Sequence, residues 1–535
     1  PNIIPPSFKL LAAFNTLLSI DSGKIILSKE ATKVANNFPN DNLEYGRLSN
    51  VTLKINANSY TEQQTKMAKI DIILVLDSSN SMRRTLDGDL TNYDSQRRIT
   101  ALKKTAKEFV EDILDGDNVR IGIVEYDDDI EQSVPLTSNK TVLINSINNL
   151  KYDDSTNLQA GIAEADKLLD NSRSDAAKIV VILTDGIPTK FTYKVNGSTY
   201  SCGNGSEDEI AYGDSKYCPD IKPSVAAKTA LDTLKSNHKT TDVWTITFGN
   251  EEEAATTLAT INPVTAAGVS PVYKNLKALT ADALEQEFSN LIEVARNTIG
   301  VNSSVVDTIP KEFKLTKDAK ASLVSQGATY VENSDGTTTI TWNVGTIEAG
   351  VEKKLSYDVV AKDEYHGSIY TNETTDYESA VLTTTVDASN PYYAGESNKT
   401  LNLKFESPVA DIPAIVKDDH YSDNASYVGV AESTISGTSV LTNDLNKNLN
   451  LDKENASQTL TVTDELIVNE NTNTVKVSDD TYLIKDGDKE LGILVMNSDG
   501  TFTFVSNENV EGDVSFSYHI KTTVVRDGET SYLYS

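Results

Sequence analysis

Cysteine is scarce in this sequence: Cys202 and Cys218 are the only two in 535 residues. None of the four histidines (His238, His366, His420, His519) flanks them. That spacing argues against a zinc clamp or a close-set redox pair. A local disulfide is expected, which implies an oxidising, extracellular setting; two free thiols are the alternative. The scattered histidines also offer little for general-base chemistry. No G-x-S-x-G, H-E-x-x-H or Cys/His pair is present, so the chain is not read as an enzyme. Long apolar runs are missing too. The most apolar early stretch, residues 10–20, contains Asn15 and is too short to span a bilayer. No basic segment precedes it and no anchor signal follows Ser535, so the chain reads as a fragment lacking its targeting ends. Positive charge is in deficit: 48 Lys plus Arg against 79 Asp plus Glu, a net charge of −31. Such a surface repels nucleic acid and anionic lipid, so neither nucleic-acid binding nor membrane insertion is expected.

What is present points to several folded domains. Apolar residues make up 38%, enough for packed cores, and the length suits three or four domains. Strand-like text occupies the region before residue 69. Residues 70–76 then form a nearly continuous apolar run, as for a strand buried on both faces of a parallel sheet. From there to about residue 299, buried strands (119–124, 178–183, 242–248) alternate with amphipathic helices (99–113, 158–169, 225–234, 281–296). That alternation predicts a doubly wound α/β sheet. After Asn302 only strands are expected, with 408–413 as a linker to a last all-β region.

The loop after the first buried strand reads Asp77-Ser78-Ser79-Asn80-Ser81. In open α/β sheets, ligand sites lie beyond the carboxyl ends of strands. Thr156 stands just before the helix at 158, and Asp185 follows the strand at 178–183. Asp77, Ser79, Ser81, Thr156 and Asp185 therefore converge at one edge. Their donors are all oxygen, which suits Mg²⁺, or Ca²⁺ or Mn²⁺. The alternative is that these residues only cap helices and turns. The pattern resembles the metal-ion-dependent adhesion site of von Willebrand factor type A and integrin I domains. The resemblance covers about residues 70–299. It implies that Asp77, Ser79 and Ser81 hold the ion, that Thr156 joins in the ligand-competent state, and that Asp185 acts directly or through water. It also implies that an acidic group of a partner fills the open metal position. Residues 190–221, with both cysteines and Phe191, Tyr193, Tyr200, Tyr212 and Tyr217, form an insertion beside this edge. It is expected either to shape partner choice or to be a decorative loop.

The segments 1–69 and 300–407 read as halves of one β-sandwich, with the type A unit 70–299 inserted between them. This order resembles Gram-positive pilus-tip adhesins, whose sandwich is closed by a Lys–Asn isopeptide bond. By position the resemblance makes Lys29 the nucleophile, Asp307 the acid and Asn398 the acceptor, with Lys24 and Lys33 as competing lysines. In 408–535 the stretches 437–444, 497–504 and 514–518 resemble bacterial cadherin-like or immunoglobulin-like modules. Their acidic segment (Asp444, Asn446, Asn448, Asp452) is poor in carboxylates, so calcium binding is not expected there. The implied role is an extracellular adhesin, at the cell wall or a pilus tip. It would bind a host matrix or cell-surface protein and contact other pilus subunits. The alternative is a structural pilus or stalk subunit whose metal only stabilises the fold.

Overall fold

The structure, a computed structural model, describes residues 21–34, 47–60, 68–266 except 115 and 211–216, 269–363, 365–372, 380–388, 390–394 and 400–414, with shorter stretches between 419 and 534. Strands β1 (Ile25–Lys33) and β2 (Leu48–Ala57) pair antiparallel, with Lys29 opposite Leu53. In β2 the alternate residues Val51, Leu53 and Ile55 are buried, the period of a strand with one face on a core.

The α/β unit follows. Strand β3 (Ile70–Asp77) is buried along its whole length. After it come α1 (Arg98–Ile113), β4 (Val119–Tyr126), β5 (Ile130–Thr137), α2 (Lys140–Asn149) and α3 (Leu158–Leu169). Next are β6 (Ala177–Thr184), the hairpin β7 (Phe191–Val195) and β8 (Ser198–Cys202), α4 (Pro223–Asn237) and β9 (Thr241–Phe248). Helix α5 (Glu252–Ile261), strand β10 (Tyr273–Ala278) and helix α6 (Ala281–Asn297) complete the unit. The sheet order is β10-β9-β6-β3-β4-β5, parallel except for the edge strand β5. Alternation along β3 feeds two cores. Ile72, Leu74 and Leu76 pack with α1 and α6, where Phe109 stacks on Phe288 at 4.6 Å. Ile73 and Val75 pack with α3, α4 and α5. The chain leaves β3 for β4 on one side and later returns to β6 on the other. The carboxyl end of β3 is therefore the switch point of the sheet.

The insertion, read as a loop, carries a hairpin of its own. Asn196 and Gly197 both take positive φ (51° and 79°), the conformation of a two-residue hairpin turn. That Asn-Gly pair was the overlooked sequence signal. Cys202 and Cys218 are disulfide-bonded, with Cα atoms 5.8 Å apart.

Beyond the α/β unit, β11 (Thr298–Ile309), β12 (Phe313–Leu315), α7 (Lys317–Ser325), β13 (Ala328–Glu332), β14 (Thr338–Glu348) and β15 (Lys353–Ala361) follow. Strand β15 pairs with β2, Leu355 opposite Leu53, so segments on both sides of the α/β unit share a sheet. That sheet, β1-β2-β15-β12, lies against β13-β14-β11 and the strands β17 (Val381–Val386) and β18 (Thr400–Lys404), around Trp342, Tyr357 and Val305. Helix α7 departs from the all-strand expectation. Thr316 caps it, and only Ala319 and Leu323 anchor it, too few for a helical period to show. The expected linker is also corrected. Its residues form strand β19 (Val409–Ile412), antiparallel to β16 (Tyr365–Tyr370), with Ala410 and Ile412 buried. The flanking prolines had masked the alternation.

Among the described residues the last region holds a five-stranded and a three-stranded sheet over a core of Tyr482, Ile484, Leu494, Phe502 and Ile520, and its strand Lys447–Asn448 pairs outside both, with residues 365–366. Asp444 is buried, and the Tyr518 hydroxyl lies 2.6 Å from Asp419 and 3.1 Å from Asp444. Asn448 sits in a two-residue strand, while Asn446 and Asp452 lie outside the described residues. Among the described residues no helix is long and apolar enough to cross a membrane.

Candidate functional sites

Asp77 is the last residue of β3, and its buried side chain orders the loop that follows. One Asp77 carboxylate oxygen accepts the Ser79 N–H at 2.8 Å, and the other accepts the Thr184 hydroxyl at the end of β6. Ser79 Oγ lies 2.9 Å from Ser81 Oγ, and Ser81 donates to Asp185 Oδ1 at 2.6 Å. A hydrogen-bonded chain thus links Asp77, Ser79, Ser81 and Asp185 across the ends of two adjacent strands. Thr156 borders the same space. A Cβ placed on Gly186 would stand 3.5 Å from Ser81 Oγ and 3.8 Å from Thr156 Oγ1. Backbone bonds tie the two loops: Asn80 N–H donates to Asp154 O and Asp153 N–H to Ser78 O.

Burial raises the affinity of Asp77 for its proton, opposed by the hydrogen bonds from Ser79 and Thr184. Asp185 shifts the same way, first through burial and then through the charge of Asp77, with Arg98 opposing. The donors of this edge comprise two carboxylates and three hydroxyls, all hard oxygen, which fits a divalent hard cation. Among the described residues no cluster of three or more His, Cys, Asp or Glu side chains is arranged to hold a metal.

Arg98 was not singled out from the sequence. It opens α1, yet a cation at a helix N-terminus opposes the helix dipole. That mismatch was the available signal of a special partner. The guanidinium is fully buried; it donates to Asp185 Oδ2 at 2.7 Å, Glu251 Oε1 at 2.8 Å and the Thr85 carbonyl at 2.9 Å.

The disulfide hairpin starts at this edge. The N–H groups of Thr189 and Lys190 donate to Thr156 O, and the Thr156 N–H donates to Thr189 Oγ1. Phe191 is buried, Tyr200 packs on Tyr217 at 4.8 Å, and Tyr193 and Tyr217 are exposed. Tyr212 lies outside the described residues.

A second constellation lies between the two sandwich sheets. Lys29 Nζ stands 2.8 and 2.9 Å from the Asp307 oxygens and 2.9 Å from Asn372 Oδ1. Asn372 Nδ2 donates to Asp307 Oδ1 at 2.8 Å, and Tyr357 donates to Asp307 Oδ2 at 2.6 Å. Asp307 and Asn372 are fully buried and Lys29 is 6% exposed. Burial lowers the Lys29 pKa, against the pull of Asp307. The asparagine in contact is Asn372, whereas the expected acceptor, Asn398, lies outside the described residues. Only folding identifies Asn372, because it follows a strand 343 residues from Lys29. Of the competing lysines, Lys24 pairs with Asp21 and Lys33 is exposed at the end of β1.

Residues 72–187 match the model of the von Willebrand factor type A domain. Among curated proteins none matches. The chain is similar to the pilus adhesin SpaC of Lactobacillus rhamnosus GG, at 18% identity and a TM-score of 0.34. That alignment covers 93% of this chain and 57% of SpaC, so the chain spans little more than half of that adhesin's length. A von Willebrand factor type A protein of Catenulispora acidiphila aligns at 12% identity and a TM-score of 0.43, covering 72% and 73%. The adhesive tip pilin GBS104 of Group B Streptococcus agalactiae aligns at 12% identity and a TM-score of 0.33, covering 72% and 92%. At these identities and scores the likenesses assign no function.

Proposed function

We propose that this chain, which carries a von Willebrand factor type A segment, is the binding portion of an extracellular surface or pilus-tip adhesin. Its type A unit sits as an insertion within a β-sandwich, with a β module beyond. The oxygen-only edge at the switch point carries this reading. Asp77, Ser79 and Ser81 hold Mg²⁺, or Ca²⁺ or Mn²⁺, with Thr156 and Asp185 beside it. When bound, the cation supplies a Lewis-acidic position open to one more anionic oxygen. A glutamate or aspartate of a host matrix or cell-surface protein fits that position. The hairpin clamped on Thr156 offers Tyr193 and Tyr217 as contact area at the rim.

The test is binding to arrayed collagens, fibronectin, laminin and fibrinogen in Mg²⁺, in EDTA, and with Asp77→Ala. Binding lost in both supports metal-dependent adhesion. Binding that survives both moves the adhesive surface to the hairpin or the β modules. The second reading, a structural subunit, is favoured by how tightly the sandwich is tied, and gains if nothing binds.

The same reading includes a self-directed reaction between Lys29 and Asn372. Lys29 gives a proton to Asp307, and its neutral Nζ attacks Cγ of Asn372. The Nζ–Cγ bond forms and the Cγ–Nδ2 bond breaks. Nδ2 takes the proton that Asp307 Oδ1, its present partner, holds and the second proton that Nζ gives up on becoming an amide; it leaves as ammonium, and Asp307 is again a carboxylate. The product is one amide cross-link between β1 and the end of β16.

A further inference from the structure

The Arg98 guanidinium occupies one oxygen of Asp185, while Ser81 holds the other. The pair is completely buried, so little water screens it. The chain is shaped around this cation. Gly249 takes φ +102°, and a Cβ there would stand 2.9 Å from Arg98 Nε and 3.0 Å from Cζ. The loop after β9 thus passes against the guanidinium and presents Glu251, the residue before α5, to its far side. Glu251 is partly exposed, so its charge reaches the edge in screened form.

We propose that Arg98 sets the net charge of the oxygen-rich edge, weakening its hold on the cation so that positive charge remains to capture a carboxylate. The inference rests on the metal reading above. Asp77 and Asp185 bring two negative charges, and Arg98 cancels one. A divalent ion then leaves the filled edge with one net positive charge, which an acidic partner neutralises. Without Arg98 the same two carboxylates neutralise the ion by themselves. The cation is then held more tightly, but the edge no longer attracts an anion. A merely structural Arg98 predicts the reverse: loss of the guanidinium would loosen Asp185 and weaken the metal.

The experiment is calorimetric titration of Mn²⁺ into the full chain, with and without acetate as the carboxylate probe. In the wild type, acetate tightens Mn²⁺, because two ligands that favour each other must do so reciprocally. In Arg98→Gln the Mn²⁺ Kd falls roughly tenfold or more, the scale expected when a neighbouring unit charge is removed in a poorly screened site. The acetate effect disappears with it. Arg98→Lys, which keeps the charge, stays close to wild type in both respects. Unchanged or weaker Mn²⁺ binding in a folded Arg98→Gln variant overturns the proposal, as does an acetate effect that persists. Should Arg98→Gln fail to fold, Glu251→Gln decides. Removing the competing carboxylate leaves Arg98 to Asp185, so Mn²⁺ must weaken; no change, or tightening, overturns the idea. Mn²⁺ binding that is absent from the wild type, or equal in Asp77→Ala, overturns the metal reading itself and this inference with it.

Discussion

Lys29, buried in the sandwich, and Lys235, half-buried in the α/β unit, each meet an asparagine side-chain oxygen. Lys29 Nζ is 2.9 Å from Asn372 Oδ1, and Lys235 Nζ is 2.8 Å from Asn262 Oδ1. Burial lowers the pKa of both, that of Lys235 to about 8. Both asparagines are fully buried. The difference is the third group. Asp307 contacts both members of the first pair, while among the described residues no carboxylate bonds to Lys235 or Asn262. Lys235 instead lies over the Tyr273 ring at 3.7 Å, and Asn262 donates to the carbonyls of Val243 and Lys274. The proposed reaction asks for more than a desolvated amine beside an amide. It also needs a group that removes a proton from the amine and returns one to the leaving nitrogen.

The largest expected effect tests that difference. The intact protein should be lighter than its sequence by one ammonia, and digestion should yield a peptide joining Lys29 to Asn372. Asp307→Ala should restore the full mass. Loss of a cross-link between residues 343 apart removes about 6 kcal/mol on the loop-closure scale used for disulfides. That corresponds to a fall in Tm of about 10 °C or more. A wild type of unreduced mass would break the comparison, leaving both lysines as structural contacts. Loss of a second ammonia, mapped to Lys235, would break it from the other side.

The comparison extends to buried carboxylates. Asp307 is met by Lys29, Asn372 and Tyr357, whereas Asp242 on β9 accepts one backbone N–H, from Val272 at 2.7 Å. Burial, only partly offset by that bond and by Lys353, pushes Asp242 up to about 7. Between its unfolded value near 3.8 and about 7, the folded chain holds a proton that the unfolded chain has lost. Stability therefore falls as pH rises through that window, and the cost is complete above pH 7. Asn keeps the acceptor without the charge. Asp242→Asn should raise Tm by about 5 °C at pH 8 and flatten the slope between pH 4 and 7, with little change at pH 4. Scanning calorimetry across that range checks it, and an unchanged slope would show that Asp242 stays ionised through its neighbours.

How much of this was legible depended on how local each signal is. Asp77, Ser79 and Ser81 lie within five residues at the end of a strand that is apolar but for Asp71, and Asp185 directly follows another. Strand ends alone place them on one edge. Arg98 carried a weaker local mark, a cation at the wrong end of a helix. Asn372 carried none, because its partner is set by the packing of two sheets from distant segments. Strand β19 and helix α7 were lost for a related reason: four residues between prolines, and a helix with two anchors, are too short for a period to outweigh composition.

The smallest effect belongs to Lys235 and sharpens the comparison. Lys235→Met removes a desolvated charge, which stabilises, but leaves Asn262 Oδ1 without its donor and empties the face of Tyr273, which destabilise. At pH 7 the two sides nearly cancel, within about 1 kcal/mol. The balance moves with pH. The folded value of Lys235 is about 8 against 10.5 for a free lysine, so between these limits the unfolded chain holds a proton that the folded chain lacks. The wild type gains stability as pH rises through that window, while the methionine variant has no such group to titrate. Chemical denaturation of both proteins at pH 7 and pH 10 should therefore show the wild type pulling ahead of the variant at the higher pH. Equal pH dependence would mean that Lys235 keeps its ordinary proton affinity, and that its contrast with Lys29 begins with solvation and not with the missing carboxylate.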